Sequence, residues 1–111
     1  MMEINEERRA DVVIVGLSGK LDAATTKTFE DKILAEIDSG DRRFVIDLSH
    51  LEYVSSSGLR VFLLAAKRLH SVDGKIVLCS LQEHVRQVFD LAGFSSIFSI
   101  YGSRDDAVKA L

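Results

Sequence analysis

The sequence has no proline, no tryptophan and a single cysteine in 111 residues, and each absence excludes something. With one cysteine there is no disulfide framework, which suits a reducing compartment. Cys79 itself sits inside KIVLC, so it reads as a buried apolar residue rather than a reactive thiol. No stretch approaches the roughly 20 apolar residues of a membrane helix. The opening MMEINEERRADVV lacks the apolar core of a signal peptide. The expectation is a soluble, cytoplasmic protein without membrane contact. Charge of one sign is scarce too: 14 Lys and Arg stand against 17 Asp and Glu, for a net charge of -3. The pairs Arg8/Arg9 and Arg42/Arg43 are too few and too far apart for a nucleic-acid footprint, so no direct nucleic-acid partner is expected. Without proline, the turns must be made by Gly, Ser and Asp.

What is present is 47% hydrophobic and 28% charged, enough for one domain over residues 1–111 with a core that needs no metal or disulfide. Two periods alternate along it. DVVIVGL, RFVIDL, KIVLC and SIFSIY are short, rich in β-branched and aromatic residues, and bounded by Gly, Asp or Ser; they read as strands. Between them Phe29, Ile33 and Ile37 recur at helical spacing, as do Leu59, Phe62, Leu63 and Ala66, then Val85, Val88, Phe89 and Ala92. Cap chemistry is expected at Asp22, at Ser80 with Glu83, and at Ser103 with Asp106 ahead of a short last helix. Gly40, Gly74 and Gly93 are placed to end helices in the left-handed conformation. Strict alternation of strand and helix, with strands apolar on both faces, predicts an α/β fold. Its sheet is mixed but mostly parallel, of four to five strands, with about four helices packed against it. The fifth strand would be MEINEERR, an antiparallel edge turning near Arg9 and Ala10.

Most catalytic motifs fail on spacing. GLSGK, Gly16 to Lys20, has two residues between its glycines where a phosphate loop needs four, and Leu21 follows the lysine; it reads as a strand-end turn. His50, His70 and His84 share no metal-ligand spacing with each other or with Cys79, so neither metal nor cofactor is expected. The serines of VSSSGL resemble a nucleophile elbow, but Ser56 has Val54 where a small residue is required. No acid and histidine follow at other strand ends, and the protein is not expected to be an enzyme.

Three serines at the mouth of a helix nevertheless exceed what a helix uses, since there is one N-cap position. Phosphorylation is a coherent use for the surplus. A phosphate at a helix N-terminus meets unpaired N–H groups and the positive end of the macrodipole, so the fold tolerates it. The surface changes by about -1.5 to -2 charges, enough to expel a docked partner.

VIDLSHLEYVSSSGLRVFLLAAKRL resembles the central segment of the STAS domains, specifically the bacterial anti-sigma factor antagonists: an apolar strand, Asp-Leu-Ser, a short loop, then Asp-Ser-Ser-Gly opening a helix. LSGKLDAATTKTFE and KIVLCSLQEHVRQVFDLAGFSSIFSIY are similar to the family's first strand-to-helix segment and to its closing strand, helix and strand. The resemblance implies helices on one side of the sheet and a protein-binding switch. In that switch the unphosphorylated protein binds a serine kinase that doubles as the anti-sigma factor, freeing the sigma factor. The kinase, using ATP bound to itself, phosphorylates the antagonist and is released, and a serine phosphatase resets the switch. Carried over by position, the phosphorylated residue is Ser56, with Ser57 and Gly58 closing the turn. Asp22 matches a loop aspartate near the partner-facing surface, although a plain helix cap is an equal reading, and Arg60 is a further candidate contact. One departure stands out: Ser55 occupies the position of the pattern's Asp, which makes Ser55 an alternative acceptor alongside Ser57. The same departure leaves a second function open, an unphosphorylated STAS scaffold or adaptor in a stress-signalling or transporter complex.

Overall fold

The opening alternation of apolar and polar residues forms strand β1 (Met2–Arg9) in the computed structural model, which describes residues 2–111. The chain turns at Ala10, left-handed at φ 55°, and returns antiparallel as β2 (Val12–Leu21), with Ile4 opposite Leu17. There follow α1 (Thr26–Asp38), β3 (Arg43–Val54), α2 (Ser56–His70), β4 (Lys75–Cys79), α3 (Glu83–Leu91), a 3-10 turn at Phe94–Ser96, β5 (Ile100–Tyr101) and α4 (Arg104–Lys109). The five strands lie in chain order, β1 antiparallel to β2 and every later pair parallel. This is the mixed, mostly parallel sheet with four helices that the alternation predicts.

A strand's period of two sorts its apolar residues onto two faces. Val13, Val15 and Leu17 join Phe44, Ile46 and Leu48 in the larger core, while Val12, Ile14, Val45, Val77 and Cys79 form a smaller one. Helices α1 to α3 cover the larger core. At its centre the Phe62 ring lies 5.3 Å from Phe29, 5.4 Å from Phe89 and 6.4 Å from Phe98, tilted or edge-on as ring quadrupoles favour. The smaller core is closed by Ala107 of α4, with Tyr101, Val108 and Leu111 packed around it. Helices therefore lie on both faces, not on one as the family resemblance implies; the second face is too apolar to leave wet. Cys79 is fully buried there, and burial pushes its thiol up, as expected of a packing residue.

Helix α4 is anchored electrostatically as well. Arg104 Nε donates to the buried Asp47 Oδ2, and Arg104 NH1 donates to Glu7 Oε1 at 2.7 Å. Burial works to raise the Asp47 carboxyl. The Arg104 hydrogen bond and the Ser49 N–H, 2.9 Å from Oδ1, outweigh it and hold the group below the usual carboxylate range.

Several local expectations are corrected. GLSGK is not a turn after the strand but part of β2, whose pairing with β3 slips between Gly16 and Ser18 and again between Gly19 and Lys20. The predicted strand SIFSIY shrinks to Ile100–Tyr101 because Phe94 and Phe98, four residues apart, both enter the core; that is helical spacing, and it leaves Ile97 56% exposed. On α3 Val85 and Phe89 are buried, but Val88 and Ala92 are exposed. On α2 the fully buried stripe is Val61, Phe62, Ala65 and Leu69, with Leu59, Leu63 and Ala66 half-buried beside it. Ser103 caps α4, accepting from the Asp106 N–H at 3.1 Å. Ser80 does not cap α3, which starts after Gln82; it is itself left-handed at φ 63°. Gly74 is not left-handed either. Asp73 takes that conformation at φ 60°, and Gly74 is needed for space, since a Cβ there would stand 2.7 Å from the Arg42 carbonyl oxygen.

Glu36 of α1 lies against Glu6 of β1, and its Oε1 is buried with no hydrogen-bond partner among the described residues. Burial, then the neighbouring Glu6 carboxyl, pushes its pKa up to about 7. The folded chain thus keeps a proton that the unfolded chain releases near 4.5, and stability falls as pH rises from there through 7. The urea midpoint is expected to be lower at pH 8 than at pH 5, and Glu36→Gln, neutral at both, should shrink that difference; an unchanged difference would contradict the assignment.

Candidate functional site: a serine cluster at the mouth of a helix

Strands β2 and β3 end side by side, Leu21 paired with Val54, and the Ser55 N–H donates to the Leu21 carbonyl at 2.9 Å. Helix α2 starts at once. Ser55 is its N-cap, extended at φ -87° and ψ 170°, and its Oγ accepts from the Gly58 N–H at 3.1 Å. Gly58 is buried with the helix's first turn pressed onto the strand ends: a Cβ would stand 2.9 Å from Leu21 Cγ and 3.1 Å from Val54 Cγ2. Any larger residue would lift the turn away from the sheet, so Gly58 shapes the site and offers no surface of its own.

The three hydroxyls divide sharply. Ser55 Oγ is 2.9 Å from Ser57 Oγ, Ser57 Oγ is 3.3 Å from Thr26 Oγ1, and Thr26 donates to the Asp22 carbonyl oxygen at 2.5 Å. A hydroxyl has one proton. Thr26 spends its proton on Asp22, so Ser57 donates to Thr26 and Ser55 donates to Ser57, a relay that also leaves Ser55 Oγ free to cap. Ser55 and Ser57 are half-buried in this relay. Ser56 stands outside it, exposed, with no side-chain hydrogen bond among the described residues. Its position in the first turn of α2 places it beside the unpaired N–H groups and the positive dipole end.

The relay reaches α1 through Thr26, which is 6% exposed and which the sequence motifs do not single out. The signal was available: Thr26 follows Asp22 by four residues in LDAATT, the spacing that lets a hydroxyl return to the carbonyl. Asp22 is not the cap of α1, whose N-cap is Thr25. The Asp22 carboxylate instead closes the preceding turn, Oδ1 accepting from the Ala24 N–H at 3.0 Å. It leaves β2 directly beside Ser55, so Asp22, Ser55, Ser56 and Ser57 come together at one end of the sheet. Arg60, one turn into α2, is exposed, with NH2 3.9 Å from Glu30 Oε1. A shallow hollow of about 300 Å³ lies between them, lined by Ala23, Thr26, Lys27, Glu30, Ser57 and Arg60.

Among the described residues no carboxylate or histidine is hydrogen-bonded to these serines; the Asp22 Oδ1 is taken by the Ala24 N–H and the Thr25 hydroxyl. The His84 ring Nε2 is 2.8 Å from the Glu52 carbonyl oxygen and His50 Nδ1 is 3.0 Å from Ser49 Oγ, so both rings are engaged elsewhere. Among the described residues no group of His, Cys, Asp and Glu could hold a metal ion, and no helix is long and apolar enough to cross a membrane. Of the three serines, Ser56 is the one whose hydroxyl is exposed and outside the relay.

The architecture is a five-stranded mixed sheet flanked by helices, with serines at the N-terminus of α2. The STAS domain family matches residues 3–107, and the chain belongs to that family. Within it the chain groups with proteins named anti-sigma factor antagonists, which are regulators and not enzymes. It is 43% identical over 109 residues to BtrV of Bordetella bronchiseptica, provisionally named an anti-sigma factor antagonist, covering 98% of this chain and 94% of that one. It is 30% identical over 115 residues to the anti-sigma F factor antagonist of Paenibacillus polymyxa, covering 99% and 95%. The crystal structure of an anti-sigma factor antagonist from Mycobacterium paratuberculosis superimposes with a TM-score of 0.91 at 26% identity, covering 99% of this chain and 93% of that one.

Because Ser55 caps and Ser56 does not, their alanine variants should separate. Ser55→Ala is expected to cost about 1 kcal/mol in chemical denaturation. Ser56→Ala should stay within about 0.5 kcal/mol of the parent, as exposed substitutions do; equal losses would mean the two hydroxyls are not divided as described.

Proposed function

We propose that the chain is a phosphorylation-controlled binding switch in the cytoplasm that antagonises an anti-sigma factor, with Ser56 as the phosphorylated residue. The observation that carries this reading is the division of labour among the serines: two are tied into the fold and the third is exposed and uncommitted. Unphosphorylated, the chain binds a serine kinase that is also the anti-sigma factor, and the sigma factor is released. The kinase supplies the ATP. Its product, phosphorylated Ser56, repels the kinase, and a serine phosphatase restores the hydroxyl.

The physical basis is local. A phosphate on Ser56 sits at the N-terminus of α2, where first-turn N–H groups and the dipole favour negative charge, so the fold need not change. What alters is charge and bulk at the surface shared by Asp22, Ser57 and Arg60, and a partner docked there loses its complement. Ser55 in place of the family pattern's Asp does not undo the site, because its hydroxyl supplies the cap to Gly58 that opens the helix.

The test is affinity for the purified kinase partner by calorimetry. Ser56→Asp is expected to weaken binding at least about tenfold while leaving the unfolding midpoint near that of the parent, and Ser56→Ala is expected to bind like the parent. Unchanged affinity of Ser56→Asp would overturn the switch and favour a constitutive scaffold or adaptor, in which the serines only cap the helix.

A further inference from the structure

Helix α2 carries a single cation in its first two turns. Arg60 stands four residues after Ser56, and the next cation along the helix, Lys67, is about three turns from that serine. Residues four apart lie on one face of a helix, the spacing at which an anion and a cation pair. Direction favours the pair as well, because a helical side chain leans back over the turn that precedes its own Cα. Arg60 shows that lean: it shares one hollow with Ser57 of the first turn and with Ala23 and Thr26 across from it.

Little holds Arg60 where it is. Its side chain is 67% exposed, and Glu30 of α1, its one ion-pair neighbour among the described residues, lies 3.9 Å from NH2, at the outer limit of such a contact. The other cation of the hollow, Lys27, is engaged by Asp31 at 3.2 Å, and the Asp22 carboxylate is turned to the Ala24 N–H. A phosphate on Ser56 would bring about -1.5 to -2 charges and three strong acceptor oxygens within one turn of the guanidinium. A guanidinium presents its N–H groups as a fork that matches two phosphate oxygens at once, a geometry that the single distant oxygen of Glu30 does not use. Resting on the reading of Ser56 as the phosphorylated residue, we propose that Arg60 holds the phosphate: on phosphorylation its guanidinium leaves Glu30 and pairs with the group on Ser56. The switch then has two halves. An anion appears on the surface shared by Asp22, Ser57 and Arg60, and a cation is withdrawn from it at the same moment, leaving Glu30 without its counter-charge.

Protein synthesised with phosphoserine in place of Ser56 tests this without a kinase, by following the phosphorus NMR signal against pH in the parent, Arg60→Gln and Arg60→Lys. A paired cation favours the phosphate dianion, whose formation ordinarily has its midpoint near pH ~6. The midpoint should be lowest in the parent, at least about 0.3 pH unit higher in Arg60→Gln, and partly restored in Arg60→Lys. The field of the helix end is common to all three, so the difference reports the ion pair and not the helix. Arg60 is exposed, so Arg60→Gln should unfold near the midpoint of the parent when Ser56 is unmodified. Lys27→Gln should move the phosphorus midpoint less than half as far as Arg60→Gln does. Equal midpoints in the parent and Arg60→Gln overturn the assignment, and so does an equal shift in Lys27→Gln, which would give the phosphate to the hollow as a whole. Either result leaves the switch standing. That reading fails instead if phosphoserine at this position leaves affinity for the kinase partner unchanged in calorimetry, whatever Arg60 does.

Discussion

The contact on which the site depends is the one between Gly58 and the ends of β2 and β3. With no side chain at that position, the first turn of α2 rests directly on Leu21 and Val54, 2.9 and 3.1 Å from where a Cβ would be. Two consequences follow from that approach. The helix begins one residue after the strand, so Ser55 must serve as strand partner to Leu21 and helix cap at once. One turn further, Phe62 is driven into the ring cluster of Phe29, Phe89 and Phe98 that centres the larger core. The serine surface is therefore an edge of the core rather than a loop laid over it.

The two faces of the sheet divide the work. The larger core fixes α1 beside α2, and through Thr26 that neighbourhood becomes a hydroxyl relay that immobilises two serines. The smaller core is shut by a six-residue helix too short to hold itself, which is where the Asp47–Arg104–Glu7 chain of charges matters. Asp47 belongs to the Asp-Leu-Ser that marks the family resemblance, and its role is to fasten α4 to β3 from below the sheet's end. Residues of one short segment thus serve opposite faces, Asp47 the closure and Ser55 to Ser57 the surface.

Much of this was legible in the sequence because the relevant signals are local. The alternation of β-branched runs with helical spacing encodes the succession of strands and helices along the chain, and a helix has one N-cap whatever its context, so VSSSGL holds more serines than the cap uses. What was not legible depends on long-range packing. Nothing local distinguishes Ser56 from Ser55; the distinction comes from Thr26, thirty residues away in sequence, which draws Ser57 and with it Ser55 out of solvent. SIFSIY has strand composition, yet Phe94 and Phe98 are claimed by the aromatic cluster and the local preference yields. The last helix's crossing to the second face is likewise invisible until the apolar backs of β2, β3 and β4 are seen to need cover. Gly74 illustrates the same limit on a smaller scale, since a helix-ending glycine reads as a left-handed cap but here makes room for the Arg42 carbonyl.

The most direct test of the central claim, that Ser56 is the residue on which the switch turns, is fragment mass spectrometry of the protein after incubation with ATP and lysate of its own cells. One phosphate on the peptide ion carrying Ser56, with Ser55 and Ser57 unmodified, is the result the hydroxyl relay predicts. A phosphate on Ser55 or Ser57 would mean the relay does not protect them, and no phosphate under any growth condition would contradict the switch itself.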